Sequence, residues 1–187
     1  MRRIAVLSAC VLAGGLLGPS TALASQEGGD HDYRWIGVED QFAIVLPNGE
    51  TFTEDEEPTA GEEEAPPIGT RLFVSEVLYE TEDGRTRGGE VGRIHVECTF
   101  QAVALNVLCD IAFVLDDGSQ LHGTAAIDFS TQGTTEPLQV DIAVTGGTND
   151  FFGATGEVSR LDISPTGGEN AETVALYETN LVLAHEK

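Results

Sequence analysis

The chain has 187 residues, with 32 acidic against 9 basic side chains and a formal charge of −23. So acidic a surface repels nucleic acid and anionic membranes, and neither is expected as a partner. No run beyond the first 24 residues reaches the ~20 apolar residues of a membrane span, and the length suits one domain.

Residues 1–24 read as a secretory signal: Arg2 and Arg3, an apolar stretch over 4–17, then the small-x-small site Ala22-Leu23-Ala24. Export after cleavage near Ala24 is expected. The apolar run before Cys10 is too short for a lipoprotein signal. Residues 25–38 open polar and Gly-rich and are expected to be a disordered lead-in to a domain over 39–187. His31 between Asp30 and Asp32 lacks the fixed framework a metal needs, so no metal is expected there. A first strand is expected over 41–46, turned by Pro47-Asn48-Gly49. Residues 54–64 then carry seven carboxylates (Glu54, Asp55, Glu56, Glu57, Glu62, Glu63, Glu64) and no basic residue. Their spacing matches no calcium loop, and such like-charge runs are normally solvated.

Residues 70–79 read as a second strand, with Leu72, Val74, Glu76 and Leu78 in one row and Phe73, Ser75, Val77 and Tyr79 in the other. Glu82-Asp83-Gly84-Arg85 is a turn. Over 91–101, Ile94, Val96, Cys98 and Phe100 alternate with Arg93, His95, Glu97 and Thr99. Over 107–115, Val107, Cys109, Ile111, Phe113 and Leu115 share a face. Asp116-Asp117-Gly118 fits a three-residue hairpin loop and aligns Leu121, Gly123, Ala125, Ile127 and Phe129 with that face. Cys98 and Cys109 remain after cleavage, and an even count in an exported protein argues for a disulfide. If they lie directly opposite, both apolar rows share one face and the bond fixes the register.

Three further strands are expected over 139–145, 156–164 and 171–184. Between the first two, residues 144–158 read as strand, a Gly146-Gly147 turn, an apolar plug of Phe151 and Phe152, a second turn at Gly153 and Gly156, and strand again. About eight strands without an amphipathic helix predict an all-β, closed eight-stranded antiparallel barrel. Its interior holds side chains or one small ligand.

The segment over 144–158 resembles the T/V-G-G-T/S-G-x-F-x-G-A-x-G turn of the allene oxide cyclase and dirigent barrel superfamily, with Asn149-Asp150 in place of the usual Gly-x. Leu72-Phe73-Val74-Ser75-Glu76-Val77-Leu78-Tyr79 is similar to that superfamily's F-V-F-x-D/N-x-L-Y strand. Cys98-Thr99, Cys109, Gly123 and Asp128-Phe129 resemble the secreted bacterial branch, although Asp110-Ile111-Ala112-Phe113 departs from its x-G-T-F segment. The similarity covers roughly residues 70–183. It implies a calycin-like barrel that cyclises, isomerises or stereochemically steers a small, apolar, reactive metabolite without cofactor or metal, often as a homodimer or homotrimer. Glu76 stands where the cyclases place an Asn that holds a water on the epoxide oxygen. Ser75-Glu76 stands where dirigent proteins carry Asp-Asp, and Cys98 falls near a pocket Cys of the plant enzymes. For the cyclases' first-strand Glu, the candidates are Glu39, Asp55 and Glu56.

Glu76 is an acid in an otherwise apolar row. Facing the lumen, it would have a raised pKa and serve as general acid or base; the competing reading is a carboxylate at the barrel mouth bonded to a neighbouring strand. Tyr79 and Tyr177 are candidates to supply a phenol to the same cavity, or else half-buried aromatics. Leu72, Val74, Val96, Ile111 and Phe113 are expected to form the apolar wall. His95, His122, Glu97, Asp110 and Thr124 fall on the opposite face, where two strand spacings separate the imidazoles by about 10 Å, too far to share a metal. No nucleophile elbow or phosphate loop is present. Two other functions fit the same residues: a non-catalytic carrier of an apolar molecule, and a structural barrel filled by its own side chains.

Overall fold

The computed structural model describes residues 30–53, 66–101, 106–128, 137–165 and 172–184. The signal segment, the acidic run over 54–64 and Phe129 lie outside them. Strands β1 (Asp30–His31), β2 (Arg34–Val45), β3 (Thr51–Thr53), β4 (Arg71–Glu80), β5 (Glu90–Phe100), β6 (Asn106–Leu115), β7 (Gln120–Asp128), β8 (Gln139–Thr148), β9 (Thr155–Asp162) and β10 (Val174–Val182) follow in order. The eight long ones, β2 and β4 to β10, pair antiparallel with their chain neighbours. β10 returns to pair with β2, Leu176 opposite Ile36, and closes the barrel. Closure leaves the ring without an exposed sheet edge.

Alternation explains the strands. In β6, Val107, Cys109, Ile111 and Phe113 are buried while Asn106, Leu108 and Asp110 face out. Gly118, at φ 85°, takes the left-handed position of the three-residue loop, and its N–H donates to the Leu115 carbonyl at 2.9 Å. Cys98 lies opposite Cys109 with 4.0 Å between Cα atoms, and their disulfide joins the two apolar rows on the inner face. It spans a sequence separation of 11. Loss of so short a loop costs roughly 2–4 kcal/mol. Urea unfolding of the Cys98→Ala/Cys109→Ala variant is therefore expected to show a loss of that size, and an unchanged midpoint would contradict it.

Three expectations need correction. The first long strand begins at Arg34, inside the stretch read as lead-in, and buries Trp35 and Ile36. The apolar alternation of Tyr33, Trp35 and Gly37 overrides the polar composition just before it. Gly146 and Gly147 do not turn the chain: β8 runs through them to Thr148, with a bulge where pairing shifts between His122 and Gly123. Gly147 is there for close approach, since a Cβ would sit 2.5 Å from both the Gln120 carbonyl and Phe151 Cβ. The reversal comes later, in a 3₁₀ turn over Asn149–Phe151 and at Gly153, φ 67°. Of the two phenylalanines only Phe151 plugs the barrel; Phe152 is 61% exposed, because the tight turn sends the next side chain outward.

The plugged end is aromatic. Trp35 stacks on Tyr33 with ring centres 5.5 Å apart, and it meets Phe113 at 5.5 Å and Phe151 at 6.5 Å. Such contacts add to the area these rings bury. This packing fills one end of the lumen.

Candidate functional site

Beyond the plug lies a cavity of about 270 Å³. One side is apolar: Ile94, Val96, the Cys98–Cys109 bridge, Ile111 and Ile142. The other, built by β2, β4, β9 and β10, carries Glu39, Glu76, Arg160, Asp162 and Tyr177. Glu76 sits mid-strand in β4, paired with Glu39 of β2 and Ile94 of β5. A bulge at Asp40 lets both Glu39 and Phe42 turn inward, while Asp40 reaches out to Arg93 at 2.6 Å.

Glu76 is 2% exposed. The Tyr177 hydroxyl donates to its Oε2 at 3.0 Å, the Arg160 Nε donates to the Tyr177 oxygen at 3.1 Å, and Arg160 Nη2 lies 3.6 Å from Glu76 Oε1. The three groups form a closed cluster. Room for it comes from Gly37 in β2, where a Cβ would lie 2.0 Å from Glu76 Oε2 and 2.7 Å from Tyr177 Cε2.

Burial pushes the Glu76 carboxyl above its ordinary range, with the Arg160 charge and the Tyr177 hydrogen bond pulling the other way. Burial, and then the charge of Glu76, raise Tyr177, so its phenol stays a neutral donor. Burial works against the Arg160 charge, but Tyr177 and Glu76 outweigh it, and the guanidinium remains cationic. With 19% of its side chain exposed, Arg160 is more accessible than Glu76. The cluster offers a fixed cation for a developing negative oxygen and a carboxyl–phenol pair able to give or take a proton.

A carboxyl raised on folding contributes stability that is full below its unfolded pKa of ~4.3 and is lost as pH rises through the folded value. Wild type is accordingly expected to lose stability relative to Glu76→Gln as pH climbs above that point. Parallel urea-stability profiles for the two proteins from pH 4 to 8 would contradict the raised pKa.

The sequence matches no protein-family model and no curated protein. Two solved structures, both pterocarpan synthase dirigent proteins, superpose on the chain. One has a TM-score of 0.60 and 15% identity, covering 86% of this chain and 99% of its own. The other has a TM-score of 0.58 and 15% identity, with 84% and 87% covered. The fold is that of the dirigent barrel.

Within this barrel, Leu72, Val74, Val96 and Ile111 line the cavity in the row the alternation assigns them. Phe113 does not. It lies deeper, in the plug, against Trp35 and edge-on to Tyr177 at 5.5 Å. Tyr177 is fully buried beside Glu76, whereas Tyr79 points to the outer face, its ring 5.9 Å from the Arg87 guanidinium. The period of two separates them, because Tyr79 is an odd step from Glu76. Among the first-strand acids Glu39 lines the cavity; Asp55 and Glu56 lie outside the described residues. His95 and His122 flank Ala112, and Glu97 and Thr124 flank Asp110, in the expected register of the outer face.

Among the polar lining and its supports, Arg160, Asp162 and Gly37 went unread in the sequence. Arg160 shares an inner row with Val158 and Asp162, so the strand period alone could have found it. Gly37 offered no local signal, since its role depends on two side chains from other strands.

Proposed function

We propose that this barrel binds a small, largely apolar, reactive metabolite and steers its cyclisation, isomerisation or stereochemical outcome, without a cofactor. One observation carries the reading: a buried Glu76–Tyr177–Arg160 cluster on one wall of an otherwise apolar cavity. The apolar side folds the substrate by shape. Arg160 stabilises charge growing on a substrate oxygen, and Glu76 with Tyr177 supplies or removes the proton in a water-poor setting where electrostatics are strong. Dirigent proteins named as pterocarpan synthases use the same fold, which supports ring-forming or stereodirecting chemistry here. Export is part of the proposal. It is compatible with the disulfide and with the absence, among the described residues, of any helix long and apolar enough to cross a membrane. A homodimer or homotrimer is the expected assembly.

A carrier is the second reading. It is favoured by the fact that Glu76 is already satisfied by Tyr177 and Arg160 and needs no ligand to complete it. The deciding experiment compares extracellular metabolites of cells lacking the protein with cells rescued by wild type. A cyclic or stereochemically defined product that disappears and returns supports turnover. Uptake or release of one unchanged compound supports the carrier, and no change in any metabolite counts against both.

A further inference from the structure

Strand β2 changes, part-way along, which of its side-chain rows faces inward. Glu39 pairs with Glu76 and Gln41 with Ser75, so Asp40 is the extra residue of a bulge. Side chains alternate with a period of two, and the extra residue therefore exchanges the rows. Phe42, opposite Val74, joins the cavity wall, while Gln41 is exposed on the outside. A straight β2 would set Gln41 opposite Val74 and put an amide into the apolar wall.

The bulge is clamped from the outer face. Asp40 Oδ2 accepts from Arg93 Nη2 of β5 at 2.6 Å, and Arg93 Nη1 donates to the Oγ of Ser75 in β4 at 3.1 Å. Ser75 is buried, and the guanidinium supplies a hydrogen bond to its hydroxyl. One side chain thus ties the extra residue of β2 to β4 and β5, at the level where the rows exchange.

We propose that Arg93 and Asp40 are positioning residues that set the specificity of the cavity from outside it. Their clamp keeps Phe42, and not Gln41, in the wall, and so selects ligands that are apolar where they meet Phe42 and Val74. The inference rests on the cavity reading above and narrows its substrate class. A hydroxyl placed there meets only the carbon of Phe42, Val74 and Leu72, and its lost hydration is not repaid. With Gln41 turned in, the amide would receive that hydroxyl and the preference would fall.

The test uses the intact chain and two probes, 1-naphthol and 1,5-dihydroxynaphthalene, titrated calorimetrically at pH 7. With one oxygen on Arg160, the second oxygen of the diol is left against the apolar wall. Wild type is expected to prefer 1-naphthol by about tenfold. Arg93→Glu replaces the clamp with like charges, and the ratio is expected to fall by about fivefold. Asp40→Asn keeps the side-chain shape and should lower the ratio less; where Arg93→Glu does not fold, it carries the comparison. Adding Gln41→Leu to the clamp variant is expected to restore the wild-type ratio, which a general loss of stability would not allow. An unchanged ratio in the clamp variants, or a fall that Gln41→Leu leaves in place, overturns the clamp while the cavity reading stands. Equal binding of the two probes by wild type also overturns it. Binding of neither probe by wild type removes the cavity reading, and the clamp with it.

Discussion

Gly37→Ala is expected to destabilise the barrel by about 3 kcal/mol and to abolish ligand binding. The added methyl would overlap Glu76 Oε2 at 2.0 Å and Tyr177 Cε2 at 2.7 Å. A carboxylate at the end of a free side chain could swing aside, but this one is held by Tyr177 and Arg160. Moving it strands a buried phenol and a largely buried guanidinium without their partner. The Tyr177 ring has even less room, packed edge-on against Phe113. Urea unfolding reads the effect. A variant within about 0.5 kcal/mol of wild type would mean that the cluster is looser than its geometry indicates.

Glu76→Gln separates architecture from chemistry. The amide oxygen can still accept the Tyr177 hydrogen bond and the volume is unchanged, so the barrel should fold. The proton and the negative charge are gone. If Glu76 transfers a proton, product in the rescue experiment falls by about a hundredfold or more. Tyr177→Phe provides the control, because it removes the phenol and leaves the carboxyl. Full rescue by Glu76→Gln would make Glu76 a structural acid and move the carrier reading ahead.

The inner and outer rows, the three-residue loop at Asp116-Asp117-Gly118, the opposed cysteines and most of the cavity wall were legible because each follows from a period of two along a single strand. What escaped depends on how strands meet. Phe113 sits in the same row as Ile111, yet the plug claims it, because Trp35 arrives from β2 at that level. Gly146 and Gly147 look like a turn by composition, but the bulge opposite His122 and Gly123 is a property of the pair of strands. Arg160 was readable from alternation with Val158; its engagement with Glu76 requires β4 and β9 to face each other across the closed ring.

The aromatic packing of Trp35, Phe113 and Phe151 has a kinetic consequence. On the proposed function, no ligand leaves through the end that these rings fill, so product that lingers in the cavity competes directly with incoming substrate for the same space.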